Sequence, residues 1–197
     1  TNVLSAILKE LRDHAIETNK EWSGKLGINP SVAITTVKPS GTVSQLVDSA
    51  SGIHPRHSQF YLRTVRADKK DPLAVFMRKV GFPVEDDLRK PEHTDVFSFP
   101  VKAPPGSVFR NDRSAIQQLQ HYLTFKDCWC EHNPSITVYV KEEEWIEVEA
   151  WVYKHFNEIG GIAFLPYDGG QYKQAPYQDL TEEEYLEWCK KMPQDVP

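Results

Sequence analysis

The run Val32-Ala33-Ile34-Thr35-Thr36-Val37, the turn Lys38-Pro39-Ser40-Gly41-Thr42 and the segment Val43-Ser44-Gln45-Leu46-Val47 constrain this chain more than any other stretch. β-Branched residues favour extended backbone, Pro and Gly favour a tight turn, and the last segment can open a helix. The order predicts a strand over 32–37, a turn, and a short helix near 42–48. A helix start carries unpaired backbone N–H groups and partial positive charge, which suits an anion. Gly41 lets the backbone come close to that anion and is expected to need a positive φ. The hydroxyls of Ser40, Thr42 and Ser44 can donate to it, and Lys38 can add charge. The spaced glycines of a Walker loop are absent. On these residues alone a phosphate cradle and an ordinary capped turn both fit.

The rest of the chain alternates helices with strands. Val3, Leu4, Ile7, Leu8, Leu11, Ala15 and Ile16 recur at helical spacing, predicting an amphipathic helix over 2–22 closed by Gly24 and Gly27. Strands are predicted at 60–66, 96–101, 136–140 and 162–165. Helices are predicted from Asp71-Pro72 to Gly81, over 112–127, from Glu142 to about Ile159, and from Thr181, where Thr181 and Glu184 form a capping box. Residues 83–93 are polar and read as a loop, and a turn-rich stretch holds Gly169, Gly170 and Pro176. Alternation of this kind implies an α/β architecture with largely parallel strands, in a single unit spanning 1–197.

Composition narrows the function. With 197 residues, 40% hydrophobic and 26% charged, the chain has the profile of a globular domain able to bury a sizeable core. A formal net charge of −5 gives no general field for nucleic acid. Positive charge gathers only around Arg56, His57, Arg63, Arg66, Lys69 and Lys70. No apolar run reaches membrane-span length, and no signal peptide is expected. Three cysteines make no disulfide framework, so a reducing cytoplasm is expected. The start at Thr1, without methionine, reads as a fragment or a processed product.

Other residue clusters have plain structural readings. Cys128-Trp129-Cys130-Glu131-His132 lacks the paired spacings of a zinc site, and a Cys128–Cys130 disulfide would be strained, so two thiols at a helix end with Trp129 packed is expected. Cys189 has no partner cysteine nearby in sequence. His54 and His57 flank Pro55-Arg56, where anion contact and local turn structure are both open. Glu142-Glu143-Glu144 and Glu182-Glu183-Glu184 sit at helix starts, where negative charge offsets the dipole. Trp145, Trp151, Tyr153 and Phe156 read as core and interface packing.

Taken in order, the motifs resemble the C-terminal part of the catalytic chain of adenosylcobalamin-dependent (class II) ribonucleotide reductases. The resemblance rests on Ile34 through Ser44, on Gly52-Ile53-His54-Pro55 and Phe60-Tyr61-Leu62-Arg63, and on Asp71-Pro72-Leu73. It continues in Gly81-Phe82-Pro83-Val84-Glu85, Phe99-Pro100-Val101-Lys102 and Asn133-Pro134-Ser135-Ile136-Thr137-Val138. It closes on Phe164-Leu165-Pro166 and Gln174-Ala175-Pro176-Tyr177. It covers roughly residues 25–190, and the closing region resembles the monomeric, triphosphate-using branch.

The resemblance implies a ten-stranded α/β barrel, of which this chain is the C-terminal portion. It implies that Pro39, Ser40, Gly41, Thr42 and Val43 hold the substrate's phosphates, with Lys38, Ser44 and His54 as additional candidates. It also implies adenosylcobalamin as cofactor of the complete enzyme, a ribonucleotide as substrate and a dithiol as reductant. The family's radical cysteine lies in an Asn-Pro-Cys-Gly-Glu-like loop, which this sequence lacks, and Cys189 stands alone where the family has a thiol pair. No catalytic residue is therefore expected here, and activity should need an N-terminal portion, as a separate chain or a missing segment. Trimming, a split gene or protein splicing would each account for Thr1. The rival expectations are a non-catalytic nucleotide-phosphate-binding or regulatory module, and a packing domain whose 38–44 loop binds nothing.

Overall fold

The computed structural model describes residues 2–167, 172–194 and 196. In chain order the elements are α1 (Asn2–Leu26), α2 (Val43–Leu46), β1 (Phe60–Asp68), α3 (Pro72–Lys79), β2 (Val84–Asp86), β3 (Thr94–Lys102), α4 (Ala115–Cys128), β4 (Thr137–Val140), α5 (Trp145–Lys154), β5 (Ala163–Pro166), β6 (Tyr177–Asp179) and α6 (Glu182–Lys190). They form two compact units, one from the described residues of 1–55 and 110–167, the other from those of 56–109 and 168–197. The expected turn at Gly169 and Gly170, and Thr1, lie outside the described residues.

In the first unit β4 and β5 form a parallel pair, Thr137 opposite Ala163 through Val140 opposite Pro166. Their inner face meets α4 and α5 in a core of Ile53, Leu119, Tyr122, Ile136, Val138, Val140 and Val148. α4 begins at Ser114, whose hydroxyl accepts from the Gln117 N–H while the Gln117 side chain accepts from the Ser114 N–H. α1 runs through Gly24 rather than ending there, because a lone glycine weakens a helix without forbidding it. Trp151 packs against the core, whereas Tyr153 and Phe156 are exposed, so core packing fails for those two.

The predicted strand over 32–37 does not form: Val32 lies in a bend and the segment joins no ladder. Its backbone donors go instead to one carboxylate: Glu131 Oε2 accepts from the N–H of Ile34 at 2.8 Å and of Thr35 at 3.3 Å. The Thr35 carbonyl accepts from the N–H of Glu131 and His132, and Val37's accepts from Ser135. One segment, 131–135, does the work a partner strand would do.

The second unit corrects the expectation of largely parallel strands. Its sheet is antiparallel throughout, in the order β2-β3-β1-β6. β1 and β3 are paired from Phe60 opposite Lys102 to Asp68 opposite Thr94. β2 falls inside the predicted loop 83–93, where its three residues find β3 as partner despite their polarity. α3 starts as expected, with the Asp71 carboxylate accepting from the Leu73 N–H at 2.8 Å. α6 has its capping box at Thr181 and Glu184 and lays Tyr185 against Phe60, ring centres 5.1 Å apart.

Candidate phosphate-binding site

The 38–44 loop leaves the 32–37 segment and enters the four-residue α2. Serines hold it. The Ser40 N–H donates to Ser51 Oγ at 2.9 Å, and the Ser51 hydroxyl donates to the Ser40 carbonyl at 3.0 Å. Ser40 Oγ accepts from the Ser44 N–H at 2.8 Å, and the Ser44 hydroxyl donates to the Ser40 carbonyl at 2.9 Å. Ser44 is buried, and its N–H and hydroxyl both serve this internal ring of bonds. Thr42 makes no capping bond with its side chain, and no hydrogen bond among the described residues engages the N–H of Thr42 or Val43. Those two donors and the Thr42 hydroxyl stand open at the turn. Such an arrangement can take an anion.

Gly41 does not have a positive φ, contrary to expectation, and a Cβ built on it meets nothing within 4 Å. Glycine is thus not required by backbone strain. The space over Gly41 is empty in the chain itself, and a side chain there would fill the approach to Thr42 and Val43. The strained glycine is Gly52, at φ +61, where a Cβ would stand 3.1 Å from the Lys38 carbonyl oxygen.

Lys38 and His54 lie beside the loop with their polar groups engaged. Lys38 Nζ donates to the Asn133 carbonyl at 2.8 Å and to Ser135 Oγ at 2.9 Å. His54 Nδ1 bonds the Ser51 carbonyl at 2.8 Å, and Nε2 accepts from the Thr137 N–H at 2.9 Å. Glu131 is held below the usual carboxylate range, first by the Ile34 N–H, with the Thr35 N–H and hydroxyl adding to it. Ser51, Glu131, Asn133 and Ser135, which sequence reading did not assign to the site, shape it from outside. Only the closeness of Ser51 to the loop could have signalled any of them.

The other clusters behave as structure. Cys128 and Cys130 are buried at the end of α4, and burial pushes the Cys130 thiol up. Trp129 donates from Nε1 to the Thr36 carbonyl at 3.2 Å. The Tyr185 hydroxyl is hydrogen-bonded to Cys189, which raises Tyr185 above its ordinary value. The basic cluster after residue 55 is largely neutralised: Arg66 pairs with Asp87, Lys69 with Asp86, and His57 lies 3.1 Å from Asp179. Among the described residues no group of three or more His, Cys, Asp or Glu could hold a metal ion. None of the helices among them is long and apolar enough to cross a membrane.

Fold and loop together define an α/β protein of the kind seen in B12-dependent reductases. A crystal structure titled as a B12-dependent (class II) ribonucleotide reductase superimposes over 99% of this chain and 28% of its own, with a TM-score of 0.84 and 25% identity. More particularly, the chain is similar to adenosylcobalamin-dependent ribonucleoside-triphosphate reductases, which bears out the resemblance carried by the motifs. It is 29% identical over 185 residues to that of Levilactobacillus brevis, covering 92% of this chain and 25% of the relative. It is 31% identical over 174 residues to that of Lactobacillus gasseri, and 32% over 178 residues to that of Euglena gracilis. The chain spans about a quarter of the length of these relatives. No family model matches it.

Proposed function

We propose that this chain is the C-terminal portion of the catalytic chain of an adenosylcobalamin-dependent ribonucleoside-triphosphate reductase. It contributes closing strands and helices to a ten-stranded α/β barrel and holds the substrate's phosphates on Pro39, Ser40, Gly41, Thr42 and Val43. The observation that carries this reading is similarity across 92% of the chain to reductases of that name; the open donors of the 38–44 loop supply the phosphate contacts it calls for. In this reading adenosylcobalamin is the cofactor of the complete enzyme. The chain's own share is positional. The Thr42 and Val43 N–H groups and the Thr42 hydroxyl bind phosphate oxygens, and the serine ring keeps these donors in place before substrate arrives.

The test combines this chain with the part of the Levilactobacillus brevis reductase that it does not match. Cobalamin-dependent reduction of a ribonucleoside triphosphate is expected. In the combined enzyme Gly41→Val should raise KM about tenfold or more with an unchanged melting temperature, because phosphate contacts of this kind are charge-assisted and each factor of ten is about 1.4 kcal/mol. An unchanged KM would remove the loop from the site. Nucleotide binding without any reduction would favour the rival reading, a non-catalytic phosphate-binding module.

A further inference from the structure

Phe60, Leu62 and Thr64 of β1, Ser98 of β3 and Gln178 of β6 share one face of the antiparallel sheet. The register sets Thr64 opposite Ser98 and Leu62 opposite both Pro100 and Gln178, and in a pleated sheet such residues point the same way. Tyr185 of α6 packs on Phe60 of that face. Past this contact a cleft of about 650 Å³ remains, floored by Leu62, Ser98 and Gln178 and walled by Leu88 and Trp188. It lies wholly within the second unit.

The polar groups of the cleft are not spent on the fold. Ser98 is 7% exposed, and its N–H donates to the Pro83 carbonyl at 3.1 Å, but among the described residues no hydrogen bond engages its hydroxyl. The Trp188 indole N–H and the side-chain oxygen of Gln178 have no hydrogen bond among those residues either. Buried hydroxyls in folded proteins are nearly always bonded, so Ser98 calls for a partner from the space it faces. The walls are fixed in advance. Gln174, at a left-handed φ of +60, accepts from the Leu88 N–H at 3.0 Å through Oε1 and donates from Nε2 to the Asp86 carbonyl at 2.7 Å. The rim carries two cations, Lys173 and Lys191, against one carboxylate, Glu85. Lys191 Nζ stands 4.2 Å from the centre of the Trp188 ring.

We propose that this cleft binds a small molecule built on a planar aromatic ring that carries an anionic group. The ring lies along Trp188 and Leu88, its polar edge bonds the Ser98 hydroxyl and the Gln178 amide, and the anion meets Lys173 and Lys191. A preformed, mostly apolar cleft with a few convergent polar groups is the usual form of such a site. A nucleoside monophosphate and an aromatic carboxylate share this chemistry, and both fit the volume.

The experiment titrates the full chain by calorimetry with adenosine 5′-monophosphate and, separately, with indole-3-acetate, while NMR follows the amides of Ser98 and Gln178. At least one of the two should bind with a Kd below about 1 mM and move both amides, and the tighter one names the source. Adenosine and indole, which lack the anion, should bind about tenfold more weakly, because the charge-assisted bonds to the lysines are lost. Ser98→Ala should weaken binding about two- to tenfold, the worth of one hydrogen bond, while the melting temperature holds or rises because the free chain loses no bond. Trp188→Leu should weaken it about fivefold or more through loss of the stacking face. Binding that both variants leave unchanged, or that moves only amides of the 38–44 loop, puts the ligand elsewhere and overturns the assignment. Failure of both anions to bind overturns it as well, and neither result touches the reductase reading.

Discussion

The imidazole of His54 ties the 38–44 loop to β4. His54 Nε2 accepts from the Thr137 N–H, which leaves the ring proton on Nδ1, where it is donated to the Ser51 carbonyl. Ser51 in turn grips both the N–H and the carbonyl of Ser40. The path from β4 to the loop is thus unbroken through His54. His54→Ala leaves the Thr137 N–H without its partner, whereas the Ser51 carbonyl keeps the backbone N–H of residue 54 at 3.2 Å; stranding one such group costs about 1–3 kcal/mol where it is buried. Urea unfolding should show a loss of that order. Gly41→Ala should change almost nothing in the same assay, because a Cβ there meets no atom within 4 Å. Equal midpoints for His54→Ala and the parent would mean that the ring's bonds carry no weight.

Between elements the tightest joint lies where the chain leaves α5 for β5. The Tyr122 hydroxyl donates to Asn133 Oδ1 at 2.8 Å and accepts from the Gly160 N–H at 3.1 Å. Asn133 also bonds the N–H and the carbonyl of Gly161, both at 3.2 Å. A Cβ on Gly160 would overlap Asn133 Oδ1, and Asn133 cannot retreat without releasing these bonds. Gly160→Ala should therefore cost about 1–3 kcal/mol, the usual range for overpacking, in a thermal or urea melt. A melt indistinguishable from the parent's would show that the joint is slack. From sequence Gly160-Gly161 reads as a helix end and Asn133 as part of a motif; their contact is invisible because 27 or more residues separate them. The same limit explains the other misses. Helix starts at Asp71 and Thr181 are legible because the capping side chain and the N–H that donates to it lie within three residues, and the alternating runs at 60–66 and 96–101 are legible because their period is local. Strand direction, the polar three-residue β2 and β6, and the ladderless 32–37 segment depend on distant partners. The loop at 38–44 was readable as strand-turn-helix chemistry, but its clamps at Glu131, Asn133 and Ser135 were not.

Across the whole molecule each unit carries carboxylates whose charge the fold favours, so acid should attack both. In the first unit Glu131 lies below its ordinary value of 4.5, chiefly through the Ile34 N–H. In the second, Asp87 lies below 3.8, first through its bond to Arg66 and then through the N–H groups of Arg89 and Lys90. Asp86 is lowered by Lys69. A carboxylate lowered by folding adds stability above its unfolded value and loses it as pH falls through the lowered folded value. Stability from these groups should therefore be complete above about pH 4.5 and decline progressively below it. Glu131→Gln should flatten the acid decline in amides of 31–37 and 115–140 while leaving those of 60–68 and 94–102 acid-sensitive, and Asp87→Asn should do the reverse. Hydrogen exchange measured from pH 6 to pH 3 reads the two sets of amides separately. If neither variant changes the acid limb of its own unit, protonation of these clamps is not what acid does to the fold.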